Sequence, residues 1–302
     1  MRKRDIFIYV IAVIIIASLL TALFFFLRKP AKITPPVLED SKKMIVFNDV
    51  KYSGEKGGSV DWEIRAKVAR KSIDKPIVEM ERIEGQYKPQ EEGIVFFTGT
   101  RGVINTEEEK GTVENVHIMY NEYELATRVM NFNFKEGVTS TSAPVDIKGT
   151  KFVLRGLGLI AKTAEQTIHI ERDVAGFIET EKGKYRFQSD TFTYLIKDNV
   201  YILEGKVIMK NEDMNLLCEK LYLYMKDDDI DKIDAMGKVR LISKGDIAES
   251  EKAVYNFNED KITLTDSPKV YKDNVMLEGE PIVYNLTNKT FFVEKPKVRV
   301  EK

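Results

Sequence analysis

One cysteine, two histidines and one tryptophan are all that 302 residues provide of those types, and 47 basic side chains nearly cancel 48 acidic ones. The single Cys218 excludes an internal disulfide. A net charge of -1 lacks the basic excess expected of a nucleic-acid-binding protein. His117 and His169 both fall in strand-like runs and read as structural residues. No Ser-His-Asp order, nucleophile elbow or phosphate-cradling glycine loop is present. Asp227-Asp228-Asp229-Ile230-Asp231 opens like a calcium loop, but Lys232 stands where glycine is needed and Lys238 where the final glutamate belongs. It reads as a solvated turn. These absences point away from an enzyme and from a metal or cofactor.

Long apolar runs are scarce too, with one exception. Ile6 to Leu27 is 22 residues without a charge, flanked by Arg2, Lys3 and Arg4 before and Arg28, Lys29 and Lys32 after. At 1.5 Å rise per residue such a helix crosses a hydrocarbon core of about 30 Å. A cleaved signal peptide is the competing reading. It would have a shorter apolar core and a small-x-small cleavage site. Phe24-Phe25-Phe26-Leu27-Arg28 follows instead, which suits an uncleaved anchor with its N-terminus inside. Residues 30–40, with Pro30, Pro35 and Pro36, read as a tether.

What the chain has in abundance is β signal. From about Lys43 onward, short segments rich in β-branched and aromatic residues alternate with turn residues, and none has a helical period. Through them runs a repeat: a small residue, an acidic or polar one, and an apolar one three places on. Ser189-Asp190-Thr191-Phe192, Cys218-Glu219-Lys220-Leu221, Ser250-Glu251-Lys252-Ala253 and Gly279-Glu280-Pro281-Ile282 carry it most clearly. Weaker copies start at Ala66, Gly99, Ala126 and Gly156. From Ala66 the steps are 33, 27, 30, 33, 29, 32 and 29 residues. A period of about 30 in β-rich sequence predicts stacked layers, here about three short strands per period. The odd step of three breaks the two-residue alternation, as expected where a strand turns a corner. Two sheets would then face each other about 10 Å apart and bury their apolar sides. Cys218 sits at the small position of a copy and reads as a packed thiol.

Several segments resemble a known family. The single anchor, Trp62-Glu63-Ile64-Arg65-Ala66, Ser142-Ala143-Pro144-Val145-Asp146-Ile147, Phe152-Val153-Leu154-Arg155-Gly156-Leu157-Gly158-Leu159 and Ile168-His169-Ile170-Glu171 occur in the order seen in LptC, the periplasmic component of lipopolysaccharide export. From about Lys182 the chain resembles an LptA/OstA-type repeat region, with Glu204-Gly205-Lys206-Val207 and Met236-Gly237-Lys238-Val239 as its Gly-x-Val strand starts. The chain is thus similar to an LptC extended by LptA-like layers: an anchor over 1–29, a linker over 30–40, an LptC-like domain over 41–180 and LptA-like layers over 181–302.

The resemblance implies an all-β fold: an elongated, open β-jelly roll of many short antiparallel strands behind one transmembrane helix. It implies a carrier in the periplasm, held at the inner membrane, that receives lipopolysaccharide from the Lpt ABC transporter. An LptA-like or LptD-type jelly roll would be the downstream partner. Candidates for a lipid-lining interior are Phe132, Phe152, Phe192, Tyr194, Leu221, Leu223, Tyr255, Phe257 and Tyr284, each of which also fits an ordinary sandwich core. Val298 and Val300, in the alternating Lys297-Val298-Arg299-Val300, are candidates for a C-terminal edge that adds a partner strand; an idle terminus is the other reading. The competing function is a membrane-tethered β-scaffold with no ligand. An enzyme acting on envelope glycans is more remote.

Overall fold

The computed structural model describes residues 44–56, 59–87, 94–120, 122–133, 135–162, 164–226, 229–243, 245–272, 275–294 and 296–300. The apolar run 6–27 and the tether lie outside the described residues, as do Asp227 and Asp228; Asp229, Ile230 and Asp231, expected in the same solvated turn, open the strand Asp229–Ser243 instead. No helix among the described residues is long and apolar enough to cross a membrane. Those residues form 21 strands that pair antiparallel.

The strands fall into two compact units. The N-terminal unit ends at Thr150 and also takes 157–168; the C-terminal unit comprises 151–156 and 169–302. The division therefore falls inside β8 (Phe152–Lys162) and β9 (Thr167–Thr180).

In the N-terminal unit the chain meanders. β1 (Met44–Lys56), β2 (Ser59–Ser72), β3 (Ile77–Tyr87), β4 (Val95–Asn105), β5 (Lys110–Tyr120), β6 (Tyr123–Asn133) and β7 (Val138–Lys148) each pair with the next. Most reverse their buried side at mid-strand. In β4, Val95, Phe97 and Gly99 are buried, then Gly102 and Ile104, with exposed Thr100 and Arg101 at the switch. Alternate strands make the bend with a left-handed residue: Asp49 (φ 49°), Arg82 (φ 52°) and Asn115 (φ 50°). Asn and Asp reach this region at small cost; Arg does so less readily.

The C-terminal unit repeats the scheme more regularly. β10 (Gly183–Ser189) and β11 (Thr191–Leu195) flank a corner. They are followed by β12 (Val200–Lys210), β13 (Asn215–Lys226), β14 (Asp229–Ser243) and β15 (Asp246–Asn256). Each of β12 to β15 bends and so belongs to two ladders. One ladder joins β10, the second half of β12, the first half of β13, the second half of β14 and the first half of β15, and continues into β17 (Lys269–Lys272), β18 (Val275–Glu278) and β21 (Lys297–Val300). The other joins β11, the remaining halves, β16 (Lys261–Thr265), β19 (Ile282–Asn285) and β20 (Thr290–Val293).

This geometry explains the repeat and corrects its count. One period is two long bent strands, not three short ones. Cys218 and Leu221 are both buried although three apart, and so are Ser250 and Ala253, Ser189 and Phe192, and Gly99 and Gly102. The copy at Ala126 is displaced by one: Thr127 and Met130 point inward there. Lys110-Gly111, a turn signal by residue type, opens β5 instead.

In the four clearest copies the acidic residue serves a bend or strand end beside it. Asp190 covers Gly205 and Glu219 covers Gly237, glycines at φ +78° and +77° whose added Cβ would meet the carboxylate oxygens at 2.4 and 2.6 Å. Lys238 Nζ lies 2.6 Å from Glu219, Glu251 accepts the Lys238 backbone N–H at 3.3 Å, and Glu280 accepts that of Asp266 at 3.1 Å. Those backbone groups have no ladder partner at a bend, so a carboxylate from the adjacent strand satisfies them.

Candidate lipid-binding interior

Alternation puts apolar side chains between the two ladders. In β12, Val207 and Met209 are buried while Lys206 and Lys210 are exposed. The nine candidates drawn from the sequence are all buried, from Phe192, Leu221 and Leu223 at 0% to Phe132 and Phe152 at 5%. Eight lie in the C-terminal unit and Phe132 in the N-terminal one.

The C-terminal interior is aromatic. Tyr201 is its hub, with ring centroids 5.7 Å from Phe152, 5.5 Å from Phe192 and 4.9 Å edge-on from Tyr194. Phe187 lies 6.3 Å from Phe152. Further along, Tyr255 stacks on Phe257 at 4.2 Å, and Tyr185 from the facing ladder reaches Phe257 at 5.6 Å. Such pairs prefer offset or tilted rings, as here.

Buried phenols need partners. The Tyr194 hydroxyl donates to Asn199 Oδ1 at 3.1 Å. Tyr185 and Tyr255 hydrogen-bond to each other, and burial raises both phenol pKa values above the ordinary range. Tyr284 Oη and Ser243 Oγ are 3.1 Å apart, and Ser243 Oγ also donates to the Asp213 carbonyl at 3.0 Å. These hydroxyl pairs tie one ladder to the other.

Sequence reasoning missed Tyr185, Phe187 and Tyr201. The alternation Tyr185, Phe187, Ser189 into the corner was the available signal. The Cys218 thiol is pushed up to about 12 by burial, which keeps it protonated and inert.

The N-terminal interior is more aliphatic. Ile64, Met80, Ile83, Phe97, Val113, Val116, Ile118 and Phe132 surround a wholly apolar void of about 10 Å³. That is room for about one water-sized sphere, too little for a fatty tail. The open trough expected from the sequence is thus closed by side chains at this level.

No catalytic or metal-binding cluster emerges from the described residues. No group of three or more His, Cys, Asp or Glu among them could hold a metal ion. His169 Nδ1 contacts Thr193 Oγ1 at 2.9 Å, and His117 Nε2 lies 3.7 Å from Glu124. At the C-terminal end, β21 pairs with β18, Val300 opposite Val275, and Val298 is 58% exposed.

Both units are antiparallel, apolar-centred arrangements of bent strands with acidic and basic residues outside. Comparison with known proteins assigns the family. Residues 10–179 match the model of the lipopolysaccharide-assembly, LptC-related family, and residues 187–290 match that of the LptA/(LptD N-terminal domain) LPS transport proteins. The first match spans more than half of the chain, which therefore belongs to the LptC-related family and is a periplasmic component of lipopolysaccharide transport. No curated protein matches the chain. Among solved structures it is similar to LptH, the LptA homologous periplasmic component of the lipopolysaccharide transport device from Pseudomonas aeruginosa. That likeness has 17% identity and a TM-score of 0.36, and covers 39% of this chain and 95% of that one.

Proposed function

We propose that this protein shields the acyl chains of lipopolysaccharide between its two ladders while the sugar head stays in water. The observation that supports the reading is the inward apolar face of the bent strands in each unit, in a chain of a lipopolysaccharide-transport family. Exposing an acyl chain costs about 0.8 kcal/mol per CH₂, on the order of 10 kcal/mol for a dozen carbons. A lipid crossing an aqueous compartment therefore needs continuous cover. Where side chains fill the interior, as around the small void of the N-terminal unit, loading requires the ladders to part and those side chains to give way to the tails.

On this reading residues 6–27 anchor the chain in the inner membrane with the N-terminus cytoplasmic, beside the ABC transporter that supplies the energy. Membranes washed with alkaline carbonate then retain the full-length protein; its release would refute the anchor. The C-terminal strand β21 offers Val298 and the Val300 backbone to an LptA-like or LptD-type jelly roll, extending the ladder that contains β10. Lys297 and Arg299 discourage unspecific pairing at that edge.

Native mass spectrometry of residues 41–302 tests carriage and docking together. We expect lipopolysaccharide adducts of defined stoichiometry. We also expect a complex with a downstream jelly roll that is lost when residues 296–302 are removed. A body that binds neither lipid nor partner while folded is a scaffold, and the carrier reading fails.

A further inference from the structure

We propose that two ion-paired latches, Lys182–Asp260 and Asp213–Lys289, hold the free rims of the C-terminal unit together and gate sideways entry of lipid. This inference rests on the carrier reading above.

The bends of β12 to β15 lie along one side of the unit, so the hairpin turns lie along the other. They alternate between the ladders. The turns after β9 and β12 belong to the rim of the ladder containing β10. Those after β15 and β19 belong to the rim of the ladder containing β11. Lys182 is in the turn after β9. Its ammonium donates to Asp260 Oδ1 and to the Phe257 carbonyl, both in the turn after β15, and lies 5.7 Å from the Phe257 ring centroid. Asp213, in the turn after β12, is 3.6 Å from Lys289 in the turn after β19.

The two pairs join residues 78 and 76 apart, and the second is displaced from the first by one repeat at both ends. Their polarity is reversed, so this is not one motif copied. Each sits above a buried contact between the same ladders: Tyr185 with Tyr255 and Phe257 under the first, Ser243 with Tyr284 under the second. Elsewhere in this unit ion pairs run between strand neighbours, as in Lys184–Glu179, Lys220–Glu204, Lys238–Glu219 and Lys272–Asp246.

A tail lying between the ladders leaves its sugar head outside, so the link between them must pass between the rims. The latches can close only over an empty level. They therefore stabilise the unloaded state and oppose uptake, without holding lipid once it is in. Half-exposed pairs are weak, which suits a catch that must open repeatedly.

The test uses the full-length chain in nanodiscs and lipopolysaccharide with a fluorophore on its core sugar. Uptake and release are followed by stopped flow for Lys182→Glu, Asp213→Lys and the charge-swapped double variant Lys182→Asp with Asp260→Lys. Each single variant should speed uptake about two- to fivefold, leave release unchanged and raise hydrogen exchange in the turns at 181–183 and 257–260 or at 211–214 and 286–289. The swapped variant should return to the wild-type rate. If the wild type takes up lipid and the single variants match it, the latch fails while carriage stands. Unchanged exchange in the single variants also overturns the latch. If the wild type takes up nothing, carriage fails and the latch with it.

Discussion

Leu221→Asp should unfold the C-terminal unit. Leu221 is fully buried in the second half of β13, paired with Leu203 on one side and Ala235 on the other, and both of those are buried too. Removing the side chain alone, as in Leu221→Ala, costs about 2–5 kcal/mol in a packed core. An unpaired carboxylate adds several kcal/mol more, and the sum rivals the 5–15 kcal/mol that stabilises a typical domain. Thermal unfolding monitored by circular dichroism should show a clear drop for Leu221→Ala and no cooperative transition from this unit for Leu221→Asp. A Leu221→Asp protein as stable as the wild type would mean that the interior is hydrated, and the closed state described above would be wrong.

Replacing an outward residue in the same strand is the proper contrast. Glu219 is exposed, yet it is not neutral, because it pairs with Lys238 and covers Gly237. The acidic position of the repeat is visible in the sequence. Its purpose is not, because the partner bend lies on the next strand, 18 or 19 residues on. The same holds for Asp190 and Gly205. Periodicity reveals that a residue recurs; only pairing reveals what it recurs for.

Much of the β body was legible for simple reasons. Val207 and Met209 against Lys206 and Lys210 is a clean alternation, and the structure keeps it. The step of three at Cys218 and Leu221 marked a corner because two inward residues cannot otherwise be an odd number apart. Four strands carry a weak local signal. β7 opens on buried Thr139 and Thr141 before its buried Ala143, Val145 and Ile147, and it carries Pro144, which weakens the strand signal. β6, with Leu125, Ala126, Arg128 and Met130, is built from good helix formers. β3 is dense in charge on its outer side, and β17 has only four residues. In each case the pairing of neighbouring strands overrides local preference.

The interior residues were legible as a set, because aromatic residues at inward positions near the corners are buried wherever two ladders face each other. The rim contacts were not. Lys182 and Asp260 are separated by 78 residues and belong to turns, where ordinary solvated charge is the rule. Nothing short of the fold brings them together.

The claim on which the account depends is that lipid tails travel between the ladders. A photo-crosslinking residue placed at Phe192 or Tyr255, both buried, should capture lipopolysaccharide when the ABC transporter and ATP are present. The same residue at Lys206 or Lys210, exposed on β12, should capture little. Adducts at the inward positions that vanish without ATP are the predicted result; a folded protein with no inward adducts, or with equal labelling inside and out, would contradict it.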